Sequence, residues 1–226
     1  MLIMKNIIKF AAAAILPVSA HASLLVEQWV GGGAGSSGLS GVDSAIAGRA
    51  ATASGVYEII DFTDDPSGFA GDIPGSVAWP YASQLGATGV SHLSNVDFAA
   101  RITTMLTITA ADTYSFKTYS DDGVRLKIGS NVIISDDSYH PESINFGSLF
   151  LSPGIYPLEL VFFENVGEAS LEFSVAQGNG PYGHVGGIGG PGTSVGVPDG
   201  GASLALLSLA LGAMSVAQCS KRFGRQ

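Results

Sequence analysis

The chain has 226 residues, 46% of them hydrophobic, with 19 acidic against 10 basic side chains and a net charge of −9. Between Ser23 and Val197 the only cations are Arg49, Arg101, Lys117, Arg125 and Lys127, which argues against nucleic acid as a partner and suits cations or neutral sugars. The single cysteine, Cys219, lies in the C-terminal segment, so no disulfide is expected within the body of the chain.

Residues 1–22 begin with Lys5 and Lys9, continue through an apolar run from Phe10 to Val18, and end in Ala20-His21-Ala22. Small residues at Ala20 and Ala22 predict a secretory signal helix cut after Ala22. What remains before the C-terminal segment, roughly 175 residues, is enough for one domain with a good core. Leu24 to Val30 reads as a strand ending beyond Trp29, and Gly31 to Gly48 as a glycine and serine run too poor in apolar residues for regular structure. Val56 to Phe62 predicts another strand and Asp64 to Gly68 a turn; the stretch to His92 is loop-rich, with Trp79-Pro80-Tyr81 its bulky cluster.

From Val96 the alternation is regular. Ile102, Thr104, Leu106 and Ile108 share one face. Tyr114, Phe116 and Thr118, then Val124, Leu126 and Ile128, keep the same period of two around Asp121-Asp122-Gly123, which predicts a hairpin with the acidic pair at its tip. Asp136-Asp137 with His140 reads as a second acidic turn. Ile144 to Leu151 follows; Leu158, Leu160 and Phe162 then alternate with Glu159, Val161 and Phe163, and Leu171, Phe173 and Val175 with Glu172 and Ser174. Short strands, glycine-rich turns and no helical period predict an all-β, antiparallel β-sandwich over residues 23–176. Residues 177–196 read as a glycine-rich linker. Its Gly187-Ile-Gly189-Gly-Pro-Gly192 matches the dinucleotide fingerprint in letters only, lacking the strand before and the helix after.

Residues 197–226 open with Val197-Pro198-Asp199, continue through an apolar stretch from Ala202 to Ala217, and close on Lys221, Arg222 and Arg225. At ~1.5 Å per residue that stretch forms a hydrophobic helix of about 24 Å, short for a stable transmembrane span but usable as a temporary one. The basic end stays on the cytoplasmic side.

Two resemblances rest on these residues. Ala-Ala-Asp-Thr-Tyr-Ser-Phe (110–116), Tyr-Ser-Asp-Asp-Gly-Val-Arg-Leu-Lys-Ile (119–128), Ser-Pro-Gly-Ile-Tyr-Pro-Leu-Glu-Leu-Val-Phe-Phe-Glu-Asn (152–165) and the entering strand from Val96 to Thr103 resemble the PA14 domain, a β-sandwich module of bacterial toxins, glycosidases and fungal adhesins. The motif Val197-Pro198-Asp199, the single apolar helix and the arginine-rich end resemble a PEP-CTERM sorting signal. The second resemblance implies processing by an exosortase in a Gram-negative bacterium. The protein would be anchored transiently in the inner membrane before transfer to the cell surface or extracellular matrix; a plain tail anchor is the alternative.

In sugar-binding PA14 members two successive Asp residues joined by a cis peptide hold a calcium ion, helped by an Asn on a later loop, and the ion binds sugar hydroxyls. The resemblance carries these roles to Asp121, Asp122 and Asn165. Calcium suits such a donor set, because it takes oxygens from carboxylates, amides and hydroxyls, and because two adjacent carboxylates repel unless a positive charge lies between them. Tyr139, Trp79 and Tyr182 offer rings that could stack on a pyranose, with core or rim packing as the plainer role. Glu164 and Glu168 flank the proposed ion, where they could assist it, with a surface position as the plainer role. No Gly-x-Ser-x-Gly or His-Glu-x-x-His is present, and His92, His140 and His184 lie on dissimilar loops. The expected function is calcium-dependent carbohydrate binding by an exported, non-enzymatic protein. A structural matrix protein without a ligand is the alternative, and a carbohydrate-active hydrolase comes third.

Overall fold

The computed structural model describes residues 24–64, 70–80, 97–185 and 193–196. The expected signal segment with Ala20 and Ala22, the stretch around His92, and the sorting segment with Val197, Pro198 and Asp199 lie outside them. Among the described residues no helix is long and apolar enough to cross a membrane.

The elements run β1 (Leu24–Val30), α1 (Gly38–Gly48), β2 (Ala53–Tyr57), β3 (Asp61–Thr63), β4 (Val77–Ala78), β5 (Phe98–Ile108), β6 (Asp112–Asp121), β7 (Val124–Ile128), β8 (Asn131–Asp136), β9 (Ser143–Leu151), β10 (Gly154–Glu164), β11 (Ser170–Gln177), β12 (Gly183–His184) and β13 (Thr193–Gly196). They form two sheets. The first has the order β2-β1-β5-β10-β7-β8, with β13 also on β5; the second has the order β4-β3-β11-β6-β9, with β12 on β11. All pairings are antiparallel except the short β3–β4 contact. The antiparallel sandwich expected from the alternation is therefore the fold.

Period-two patterning explains the core. Ile102, Leu106 and Ile108 of β5, Leu158, Leu160 and Phe162 of β10, and Val124, Leu126 and Ile128 of β7 meet Tyr114 and Phe116 of β6 and Leu171, Phe173 and Val175 of β11. Each large apolar side chain so buried stabilises the fold by about 1.5–3 kcal/mol. Trp79 plugs one end, packed on Phe62, Phe98 and Phe162 at ring separations of 5.6, 5.3 and 4.8 Å.

Four expectations change. The acidic tip is not a hairpin: β6 pairs with β11 and β9, β7 with β10 and β8, so Asp121 to Gly123 carries the chain from one sheet to the other. Alternation fixes which face is buried but not which strand is the neighbour, and both readings put the same residues inward. Gly123 is required by space and not by a positive φ: a Cβ there would press on the Asp136 carbonyl and the Phe163 ring.

The run 31–48, expected to be irregular, contains α1. Leu39, Val42 and Ala45, spaced by three, form its apolar stripe and seal Trp29, Ala99, Val161 and Phe163 on the outer face of the first sheet. Its start is capped from afar, the Leu39 N–H donating to Asp137 Oδ1 at 2.7 Å.

The span read as a linker contributes β12 and β13 to the two sheets and buries Val185. Finally, Glu172 and Ser174 are covered instead of facing solvent. Residues of the 70–76 segment close over Glu172, the Asp72 and Ile73 N–H groups donating to its Oε2 at 3.1 and 2.7 Å.

Candidate metal centre

The centre forms where three chain reversals converge. β6 ends at Asp121, and the Asp121–Asp122 peptide is cis, as the family resemblance implied. Asp122 is buried, and its carboxylate collects two backbone donors: the His140 N–H at 2.7 Å on Oδ1 and the Asn165 N–H at 2.9 Å on Oδ2. The donors come from the loops after β8 and β10. Asp122 is thus held in one orientation by parts of the chain remote in sequence.

β10 ends at Glu164, and here the sequence reading is corrected. Glu164 is not a surface residue but 0% exposed, and neither carboxylate oxygen has a hydrogen-bond partner. Carboxylate oxygens of Asp121, Asp122 and Glu164 lie within 4.8 Å of one another. Burial, and then the charges of Asp122, Asp121 and Asp64, push Glu164 up to about 9; the Asp122 N–H, close by but outside hydrogen-bond geometry, opposes this only weakly. Burial and the Asp122 charge likewise push Asp121 up to about 6, His140 opposing. Three converging carboxylates with an orphaned buried member fit a cation, which would satisfy all of them at once. An all-oxygen, all-anionic set suits a hard cation such as calcium and not zinc or copper.

Asn165 touches the aspartate pair through its backbone. Its N–H bonds Asp122 and its carbonyl accepts the Asp97 N–H at 2.9 Å, and Glu164, one residue earlier, brings a carboxylate to the pair as well. The signal was available: Leu158, Leu160 and Phe162 point inward, and the same parity turns Glu164 inward too.

The surroundings hold this geometry. Asp97, at φ 52°, accepts N–H bonds from Gly33, Gly35 and Ser36 at 2.9–3.0 Å, which pulls the glycine loop over the end of β10. At Gly35 a side chain would collide with the Glu164 and Phe98 carbonyls, so only glycine admits this approach. Asp136 accepts from Ser138 and Asn145 and lies 3.2 Å from His140 Nε2, while Asp137 caps α1. The second acidic turn is therefore a brace for the loop that carries His140.

Of the candidate aromatics, Trp79 is core, 1% exposed. Tyr182 lies over Lys117, 4.7 Å from the ammonium to its ring centroid. Tyr139 adjoins the centre: it precedes His140, is 52% exposed, donates to the Ser36 carbonyl at 2.8 Å and meets Phe163 edge-on. A cleft of about 230 Å³ opens beside the pair, lined by Asp121, Pro141, Glu142, Glu168 and Ser170. A larger groove of about 540 Å³ lies along β1, β5 and β10 between Leu25, Met105 and Pro157 and includes none of the three carboxylates.

The comparisons with known proteins agree with this architecture. No curated protein matches the chain. Among solved structures, it is similar to a PA14 sugar-binding domain from an RTX adhesin (20% identity, TM-score 0.54, 73% of this chain and 95% of that one). It is also similar to the PA14 domain of the antifreeze protein MpAFP (17%, 0.57, 84% and 98%). A third similar structure is the Epithelial Adhesin 9 A domain of Candida glabrata in complex with Galβ1-4GlcNAc (13%, 0.50, 82% and 94%). At these identities the likeness is one of fold. Residues 91–182 match the family model for the PA14 domain, and the two-sheet sandwich that contains them is in keeping with that match.

Proposed function

We propose that this is an exported, surface-sorted PA14 protein that binds carbohydrate through a calcium ion held by Asp121, Asp122 and Glu164. The observation that carries the reading is the Glu164 carboxylate, fully buried, without a donor, and within ligand range of the aspartate pair. Calcium, when bound, offers open coordination positions to adjacent sugar hydroxyls. The chain's own part is to aim the donors: two N–H bonds orient Asp122, Asn165 offers its amide from the adjoining loop, and the half-exposed Tyr139 presents a ring at the rim. That a similar domain is described as sugar-binding and another is complexed with a disaccharide supports the ligand class.

Calcium titration followed by thermal unfolding tests this. At a free concentration ~100 times Kd the wild type should gain about 2.7 kcal/mol, or roughly 5–10 °C, and Asp121→Asn should gain far less. A glycan array with and without chelator then reads the ligand. Equal melting in calcium and chelator would leave a structural matrix module.

In the same proposal residues 1–22 direct export, and Val197-Pro198-Asp199 with its apolar segment is handed to an exosortase-type enzyme after transient membrane anchoring. An exported form whose N-terminus is not Ser23, or which retains residues 202–226, would remove that part.

A further inference from the structure

The cleft beside the proposed ion has a wall of one sign. Asp121, Glu142 and Glu168 contribute carboxylates to it, and Ser170 and Pro141 complete the lining. Glu142 is fixed there, Oε1 accepting the Gly71 N–H at 3.1 Å and Oε2 the Ser170 hydroxyl at 2.8 Å. Asp64 stands behind, accepting the Ala169 N–H, and its charge reaches both Asp121 and Glu164. The buried Glu164 carboxylate, with no partner of its own, adds a further negative group at the floor of the centre.

No Lys or Arg offsets this, and His140, which acts on Asp121, is turned towards Asp136, its Nε2 at 3.2 Å. Every Lys and Arg between Ser23 and Val197 is engaged elsewhere. Arg49 donates to the Val30 and Gly31 carbonyls, Arg101 to Glu27, and Arg125 to Asp43 at 2.6 and 3.0 Å; Lys117 pairs with Asp72 and Lys127 with Glu159. Three carboxylates around a divalent ion leave one negative charge over before Glu142 and Glu168 are counted. A glycan approaching through the cleft therefore meets a negative field even when the ion is in place.

We infer that this site selects glycans by charge: it takes neutral sugars, favours those bearing a protonated amine, and rejects uronates and sulfated or sialylated sugars. The inference rests on the calcium-mediated reading above and names the ligand class for it. A carboxylate on the sugar gains from the ion but must lie against Glu142 or Glu168, where no guanidinium or ammonium is available to receive it. An ammonium at the same place gains from both glutamates.

The test uses three matched series, each a neutral hexose with its hexosamine and its hexuronate, in the galacto, gluco and manno configurations. Binding to the full exported chain is measured by calorimetry with calcium at neutral pH and low ionic strength. Within whichever series binds, the amine should exceed the neutral sugar and the neutral sugar should exceed the uronate, by about tenfold between the extremes, and added salt should compress the order. Glu168→Gln, at an exposed position, should narrow the spread while the calcium-dependent rise in melting temperature persists. Uronates that bind as well as the neutral sugar, with that rise intact, overturn the inference and leave the ion reading standing. A melting temperature indifferent to calcium overturns both. Hexosamine binding that survives chelation would also overturn it, since the amine would then be recognised without the ion.

Discussion

Replacing Glu164 by glutamine should move stability in opposite directions with and without calcium. In the ion-free protein the Glu164 carboxyl is pushed up to about 9, against an ordinary 4.5. Between those values the folded state holds a proton that the unfolded chain has released, so stability falls as pH rises from 4.5 towards 9. At pH 7 the gap from 4.5, at ~1.36 kcal/mol per pH unit, costs the wild type about 3 kcal/mol. Glutamine keeps the shape and has no proton to acquire. In chelator the Glu164→Gln variant should therefore unfold roughly 5–10 °C above the wild type at pH 7, with a flatter dependence on pH from 5 to 9. In saturating calcium the wild type should rise past the variant, which lacks the third carboxylate. Differential scanning calorimetry across pH, in chelator and in calcium, reads both arms. A variant less stable than wild type in chelator that keeps the full gain from calcium would refute the reasoning, because Glu164 would then be an ordinary structural glutamate.

Two further outcomes follow from groups outside the centre. Asp137→Ala removes the remote cap of α1 and should cost about 0.5–2 kcal/mol in denaturant unfolding, while the Asp122 hydrogen bonds to His140 and Asn165 keep the centre in place; an unchanged midpoint would mean that water replaces the cap at no cost. Glu172 is pushed up to about 7 by burial, opposed first by the Ile73 N–H and then by Lys117. Its folded value lies above the unfolded one, so its share of stability is fully present below about 4.5 and is lost as pH rises towards 7. Glu172→Gln should flatten the pH profile of stability over that interval, and an identical profile would refute the burial argument.

What was legible in the sequence was parity. Ile102 to Ile108, Leu158 to Phe162 and Leu171 to Val175 alternate because one face of each strand is dry, and the core follows from that alone. The pieces around Asp121-Asp122 carried the family resemblance, and with it the cis peptide. Partners were not legible, since β6 and β7 bury the same residues whether they pair with each other or with opposite sheets. α1 was hidden because its few apolar residues suffice only against Trp29, Ala99, Val161 and Phe163, a patch assembled from three strands distant in sequence. The charge of Glu164 suggests water although the parity of β10 turns it inward, whereas Glu172 lies on the outward parity and is covered by the 70–76 segment, which leaves no periodic trace.

Asp121 belongs to one layer of the sandwich and Glu164 to the other. The proposed ion, gripped between them, would act as a rivet, and shearing the two layers apart would require tearing it out. If the proposed surface display and glycan binding hold, mechanical endurance would depend on dissolved cation, and a falling supply would weaken the load-bearing joint together with the grip on the polymer.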